Sequence, residues 1–274
     1  MSSETGIDDQ AAPRSSRAPS AVTPVVVGLT LALAVVLAVI LSLVLAVIPG
    51  LPWWLGPVLG LAGAALLIGL RLAGAYAGLI RALSAVPADP DRYPRFHNVA
   101  QGLALAGGVT EPELYVVDSP ARNAAAVARG ARSGIVATTG LLGAVDLLAL
   151  EGVVAECLVR ISGGDAEAST VGAALFGPLL GTPARPLGVA GLRRLLTPDR
   201  DLLADRAAVA LTRYPPGLST ALNVMAAGPA AVPGLPVGLG HVWLVPAAAE
   251  AGATAPALVE TVPLTLRIDV LGEL

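Results

Sequence analysis

From Thr23 to Ile48 the chain carries no charged side chain and consists mostly of Val, Leu, Ala and Ile. That is longer than the roughly 20 apolar residues needed to cross a bilayer core, and longer than the h-region of a signal peptide, so it predicts a transmembrane helix. Pro49, Gly50, Leu51 and Pro52 break the run, Trp53 and Trp54 supply an interfacial aromatic anchor, and a second apolar stretch follows to Leu70. The two make a hairpin, and residues 71–86 are expected to continue its second helix out of the membrane until Pro87-Ala88-Asp89-Pro90 stops it. Arg14 and Arg17 precede the first span, and Arg71, Arg81, Arg92 and Arg95 follow the second, while the turn between them is uncharged. Basic residues stay on the cytoplasmic side, so both termini are expected there, in an integral plasma-membrane protein. Gly56, Gly60 and Ala64, each four apart, would let another helix approach closely.

The remaining chain divides into a polar Ser-, Pro- and Ala-containing tail over residues 1–22, expected to be disordered, the hairpin unit 23–86, and a domain over 91–274. Hydrophobic residues make up 55% of the chain and the mean hydropathy is +0.74, with the excess concentrated near the N-terminus. A net charge of -3 gives no basic footprint for nucleic acid. The 17 basic residues are all Arg, and no function is drawn from that. A lone cysteine, Cys157, excludes an internal disulfide and a two-cysteine metal cluster.

Within 91–274 the pattern predicts helices over 95–106, 146–161 and 199–211, and strands over 113–117 and 135–139, with 242–245 a short strand or core anchor. The fold class is therefore α+β and mostly helical. Residues 169–180 are apolar but too short for a third span and are interrupted by Gly177-Pro178, so they are expected to pack in the core or at an interface. The Pro- and Gly-rich run 228–240 reads as a loop.

The stretch 147–165, LLALEGVVAECLVRISGGD, organises this domain. Read as a helix, it places Leu147, Leu150, Val154 and Leu158 on one stripe and Glu156 and Arg160 four apart on another face. Tyr115-Val116-Val117-Asp118-Ser119-Pro120 with Asn123-Ala124-Ala125-Ala126, then Val136-Ala137-Thr138-Thr139-Gly140-Leu141-Leu142 and Leu150-Glu151-Gly152-Val153-Val154-Ala155, precede or enter it. Arg200-Asp201-Leu202-Leu203-Ala204-Asp205 and Pro263-Leu264, Arg267-Ile268 and Leu271 follow. In this order the blocks resemble the membrane-anchored zinc metalloproteases of the HtpX type over about residues 95–274. The resemblance implies a zincin-like domain with an edge strand, residues Ile135, Val136, Ala137, Thr138 and Thr139, bordering a peptide cleft. It also implies that Glu156, Cys157, Arg160 and Asp201 stand where the family has its two metal-binding histidines, the intervening general base and the distal glutamate. Zinc sites use convergent histidines and carboxylates, and a glutamate beside the first histidine serves as the base. The four residues here form a degenerate metal site, with no cofactor and no catalytic residue expected. Glu156, Arg160 and Asp201 would converge in the family geometry, with the Arg160 guanidinium tying the two helices together in place of a metal.

Other candidates have plainer readings beside their functional ones. Cys157 next to a cation could be a nucleophile, but no base accompanies it, which favours a buried inert thiol. His97 begins a helix and reads as a surface or capping residue. His241, beside Trp243, is the better functional candidate, because the resemblance puts a polar side chain near substrate in this late segment. Three readings of function follow. The first is a membrane-anchored pseudoprotease, not an enzyme, that binds a protein or peptide partner through the retained cleft. The second is a peptidase with a different active-site arrangement drawn from Asp201, Asp205, Cys157 or His241. The third is a structural subunit contacted through the stripe Gly56, Gly60 and Ala64.

Overall fold

The computed structural model describes residues 22–47, 52, 54–229, 232–236, 238–246 and 261–274. The N-terminal tail over 1–21, Arg14 and Arg17 within it, residues 48–51 of the hairpin turn and Trp53 lie outside these described residues.

Two long helices open the fold, α1 (Val22–Val47) and α2 (Leu55–Ala73), both long and apolar enough to cross a membrane. They pack antiparallel on small residues. A side-chain carbon added at Gly60 would stand 2.5 Å from the Ala38 nitrogen, and one at Gly56 2.6 Å from that of Ser42, while Ala64 is wholly buried. The stripe proposed as an outside contact is therefore used up inside the hairpin, which corrects that expectation. The second helix also stops earlier than expected. It ends at Ala73, Gly74 separates it from α3 (Ala75–Ala82), and the chain turns into a two-residue strand β1 (Val86–Pro87).

The domain follows as α4 (Pro94–Ala106), β2 (Glu113–Val117), β3 (Ala124–Arg129), β4 (Arg132–Thr138), α5 (Thr139–Ala144), α6 (Leu147–Ser162) and α7 (Asp165–Leu180). Then come α8 (Arg185–Leu195), α9 (Arg200–Thr212), α10 (Pro215–Ala226), a single 3-10 turn at Gly240–Val242, and α11 (Leu264–Gly272). This is the α+β, mostly helical class. The four strands are ordered β1-β2-β4-β3, with β2 and β4 parallel and the other pairs antiparallel.

Alternation along the strands assigns each residue to one face. Leu114, Val116, Ala124, Ala126, Ile135 and Ala137 face the main core with α4, α6 and α10, while Tyr115, Val117, Ala125, Val127 and Val136 face a second core with α3 and Trp243. With both faces covered, the strands read as continuous apolar runs. The expected edge strand over 135–139 is corrected by this order: β4 lies between β2 and β3, its backbone paired on both sides, and Ile135, Val136, Ala137 and Thr138 are buried. Thr139 already begins α5.

Helix α6 runs through the main core. Asp146 caps it by accepting from the Ala149 amide at 2.8 Å, and Gly152 lets α10 approach so closely that an added carbon would lie 2.6 Å from the Leu218 nitrogen. Gly164, at φ +85°, turns the chain sharply into α7. Gly177-Pro178 does not interrupt that helix. Pro178 sits in its last turn, so its missing N–H costs one of the helix's final i→i−4 bonds and only two helical residues follow it.

Candidate functional site

At the C-terminal half of α6 the side chains of Glu156 and Arg160 leave the helix on the same face, as their i,i+4 spacing requires. Arg160 Nη2 donates to Glu156 Oε1 at 2.7 Å and to Asp201 Oδ1 at 2.8 Å, its Nε donates again to Glu156 at 3.1 Å, and Nη1 donates to Asp165 Oδ2 at 3.1 Å. One guanidinium thus joins α6, the start of α7 and α9. The structure brings together three of the four residues singled out in sequence, Glu156, Arg160 and Asp201, all buried.

Cys157 is not among them. A helical step of about 100° turns it away from Glu156 into the apolar core, where it is fully buried. Burial, reinforced by the Glu156 charge, pushes its thiol well above the ordinary range, and Arg160 does not reverse this. His241 is also buried. Its ring is held between backbone carbonyls, Nδ1 at 2.8 Å from Gly238 O and Nε2 at 3.2 Å from Ser169 O, and does not face a cleft. That corrects its reading as a substrate-side residue. Burial, with Arg200 nearby, lowers its pKa to about 4, so the ring is neutral at pH 7.

Two further arginines complete the network. Arg267, from α11, grips Asp205 with Nε at 2.7 Å and Nη2 at 2.6 Å, reaches Glu156 Oε1 at 2.8 Å, and donates to the Leu244 carbonyl at 2.9 Å. Arg200 donates to Ser169 Oγ at 2.9 Å, to Asp165 at 3.3 Å and to the His241 carbonyl at 2.7 Å. Burial would lower the pKa of Arg160 and Arg267, yet the surrounding carboxylates hold both above the ordinary arginine value. Burial pushes Asp201 upward, but Arg160, Arg200 and Arg267 together hold it below the usual range. For Asp205 burial wins, with help from Glu156, and its pKa rises to about 6 despite Arg267. Arg267 was visible in sequence only as part of a C-terminal block. An arginine set among Leu264, Leu266, Ile268 and Leu271 is the signal that could have pointed to a buried carboxylate partner.

The zinc implied by the resemblance does not fit this set. A guanidinium occupies the point on which Glu156 and Asp201 converge, and the Glu156 oxygen that would bind a metal already accepts three N–H bonds. The other oxygen, Oε2, has no hydrogen-bond partner among the described residues, but it is a single donor flanked by two cations that would repel a metal ion. Among the described residues no group of three or more His, Cys, Asp or Glu is placed to hold a metal.

The other face of the sheet carries a groove of about 180 Å³ lined by Leu83, Ser84, Asp118, Ser119, Val232 and Leu235, among others. It lies where β2 outruns its neighbour. Strand β1 pairs only through Val86 to Val116 and Pro87 to Tyr115, so among the described residues no strand lies beside the chain from Val117 onward on that side. Asn123 anchors the nearby segment at the opposite edge of the sheet. Its side chain donates to Val245 O at 2.6 Å and accepts from Val245 N at 3.2 Å, while Leu244 N donates to Ala124 O at 2.8 Å, so the expected anchor over 242–245 covers the outer edge of β3.

Several curated relatives named "Protease HtpX homolog" are similar to this chain. That of Dictyoglomus thermophilum is 33% identical over 164 residues, 48% of this chain and 54% of the relative. That of Acidiphilium cryptum is 31% identical over 196 residues, 59% of this chain and 68% of the relative, and that of Caldanaerobacter subterraneus is 35% identical over 102 residues, 37% and 34%. The chain spans about half the length of the first two relatives it matches. No family model matches it, and no solved structure matches it.

Proposed function

The chain belongs to the HtpX family of membrane proteases, and on that premise we propose that it binds extended polypeptide at the membrane surface, as the first step of the peptidase class of activity that the family name denotes. The relatives are named as proteases, which points to a peptidase and overturns the expectation that this chain is no enzyme. The buried guanidinium groups of Arg160 and Arg267 occupy the place a metal would need.

The observation that carries the binding site is the unpaired end of β2. Val117 pairs with Thr138, the Ser119 N–H and carbonyl are taken by Thr139 and Gly140, and Pro120 has no N–H. An extended chain would therefore dock on the backbone of Asp118 and the Pro120 carbonyl, against a wall formed by the Pro- and Gly-rich segment at 232–235. This site replaces the interior strand β4 as the place for strand addition. The two apolar helices anchor the protein in the membrane. We place both termini and the domain on the cytoplasmic side, supported by Arg71, Arg81, Arg92 and Arg95 after α2.

The test uses the full chain in lipid nanodiscs with fluorescently labelled, unfolded casein. Binding is expected, and Asp118→Trp, which places a bulky ring at an exposed position in the groove, should weaken it by about tenfold, equal to roughly 1.4 kcal/mol. Fragment release that is lost in the same variant would assign peptidase activity to this groove. Absence of binding, or equal binding by the variant, would overturn the reading.

A further inference from the structure

The free edge of β2 has a definite register. Along a strand the backbone groups of alternate residues turn to opposite sides, and on β2 the even residues turn to this edge: Leu114 accepts from the Ala88 amide at 2.9 Å, and Val116 stands opposite Val86. Asp118 is the next residue of that series. Strand β1 begins only at Val86, so the place opposite Asp118 is open to one residue of an added chain, which would bond to the Asp118 N–H and carbonyl. Residues opposite each other on neighbouring strands share a face, and successive residues alternate. The added residue would therefore set its side chain beside that of Asp118, while its neighbour in sequence would fall on the face of Val117. That face belongs to the second core, with Leu83 and Val232, and the groove of about 180 Å³ opens there. A cavity of about 150 Å³ holds a benzene ring, so the groove holds one large apolar side chain.

The charge beside the groove is as definite as its shape. Among the described residues lining it, Asp118 alone is charged, and it is exposed. Thr139 Oγ1 donates to its Oδ1 at 3.2 Å, which orients the carboxylate and leaves Oδ2 without a partner among the described residues. No described cation pairs with it. Arg122 is turned to the Val224 carbonyl at 3.3 Å, and Arg132 pairs with Glu113 at the far end of β2, at 3.0 Å.

We propose that the groove selects extended segments in which an arginine or lysine stands directly beside a large apolar residue, the cation meeting Asp118 and the apolar side chain filling the space beside Val117. Opposite charges facing each other across two strands stabilise the pair, whereas an acidic residue in the same place would face a like charge. Adjacency of the two residues is what the strand geometry demands. A cation two positions from the apolar residue would share its face and miss Asp118. This inference rests on the strand-addition site proposed above and names the class of polypeptide that the site takes.

The test uses the full chain in nanodiscs of uncharged phosphatidylcholine and three fluorescently labelled peptides of serine and threonine around a central leucine. The first carries arginine next to the leucine, the second carries glutamate there, and the third carries the arginine two positions away. The first should bind about fivefold more tightly than either of the others, the size of effect that one exposed cross-strand ion pair can give. Asp118→Asn should abolish that preference, and Asp118→Arg should reverse it in favour of the glutamate peptide. Without any variant, the preference of the wild type should shrink to less than about twofold in about 1 M salt, where the screening length is about 3 Å. Equal binding of all three peptides by the wild type, still weakened by Asp118→Trp, would leave the groove as the binding site and overturn its selection by charge. A preference that survives Asp118→Asn or high salt would also overturn it, because the cation would then be read elsewhere. Failure of all three peptides to bind would overturn the strand-addition site and this inference together.

Discussion

Replacing Arg160 by methionine isolates what its guanidinium contributes. The variant keeps the length and apolar character of the side-chain stem but removes donors to Glu156 at 2.7 and 3.1 Å, to Asp201 at 2.8 Å and to Asp165 at 3.1 Å. The three acceptors do not suffer equally. Glu156 keeps Arg267 at 2.8 Å and Asp165 is partly solvated, but Asp201, 2% exposed, is left with only Arg200 Nε at 3.8 Å. Breaking a buried pair by removing one member costs about 3 to 5 kcal/mol, because a charge remains without its partner. For a protein of this size each kcal/mol moves the melting temperature by about 2 to 4 °C, so Arg160→Met should lower it by roughly 6 to 20 °C. Arg160→Met/Glu156→Gln/Asp201→Asn removes the stranded charges and should recover most of that loss, since a buried ion pair adds little net stability over neutral groups of similar shape. Thermal unfolding of the full chain in detergent, followed by circular dichroism, reads both values. A single variant within about 1 kcal/mol of the wild type, as for exposed pairs, would refute the reasoning, as would a triple variant no more stable than the single.

Arg267→Met should release α11 from Asp205, Glu156 and the Leu244 carbonyl together, so amide exchange over residues 264–272 should accelerate by at least about a hundredfold, in line with a loss of roughly 3 kcal/mol. His241 has a pKa near 4 in the fold against an ordinary 6.5, so the unfolded chain binds its proton first and stability should fall as pH drops through that window, by up to about 3 kcal/mol. Asp205 acts in the opposite sense, because its raised pKa of about 6 makes its contribution fade as pH rises through 6. Subtracting the profile of His241→Gln from that of the wild type in denaturant titrations isolates the histidine, and parallel profiles would disprove its role. Reporter fusions after Pro49 and after Asp165 should appear on opposite sides of the membrane; the same side for both would sink the proposed topology.

Local patterns were legible where they needed only neighbours in the chain. The apolar period of 147–161, the β-branched run Val116-Val117 and the length of the first span each specify an element without tertiary information, and α6, β2 and α1 lie close to where those signals placed them. Relations between elements were harder to read. Ile135 to Thr138 form a strand, but an apolar strand buried on both faces looks the same in sequence whether it lies at an edge or in the interior, and only the pairing of Ala124 to Arg129 with it decides the matter. That partner strand is four alanines in six residues, a composition with little β-propensity; covered faces and the segment tied by Asn123 hold it in place. The small-residue stripe likewise shows that a close contact exists, and its packing on Ser42 and Ala38 identifies α1 as the partner.

The site separates what one helix can specify from what the fold must supply. Spacing along α6 fixes the Glu156–Arg160 pair, because an i,i+4 relation is a property of the helix itself. Asp201 arrives from α9 and Arg267 from α11, and nothing in the local sequence of either aims it at Glu156. Burial supplies the missing constraint. Once α6 is enclosed on all sides, a wholly buried Glu156 demands cations, and the arginines at 160 and 267 satisfy it while binding Asp201 and Asp205 in turn. The planar guanidinium can serve two carboxylates at once from one rigid fork, which is why two arginines are able to join α6, α9 and α11 around a point where a metal with few convergent ligands would hold them weakly.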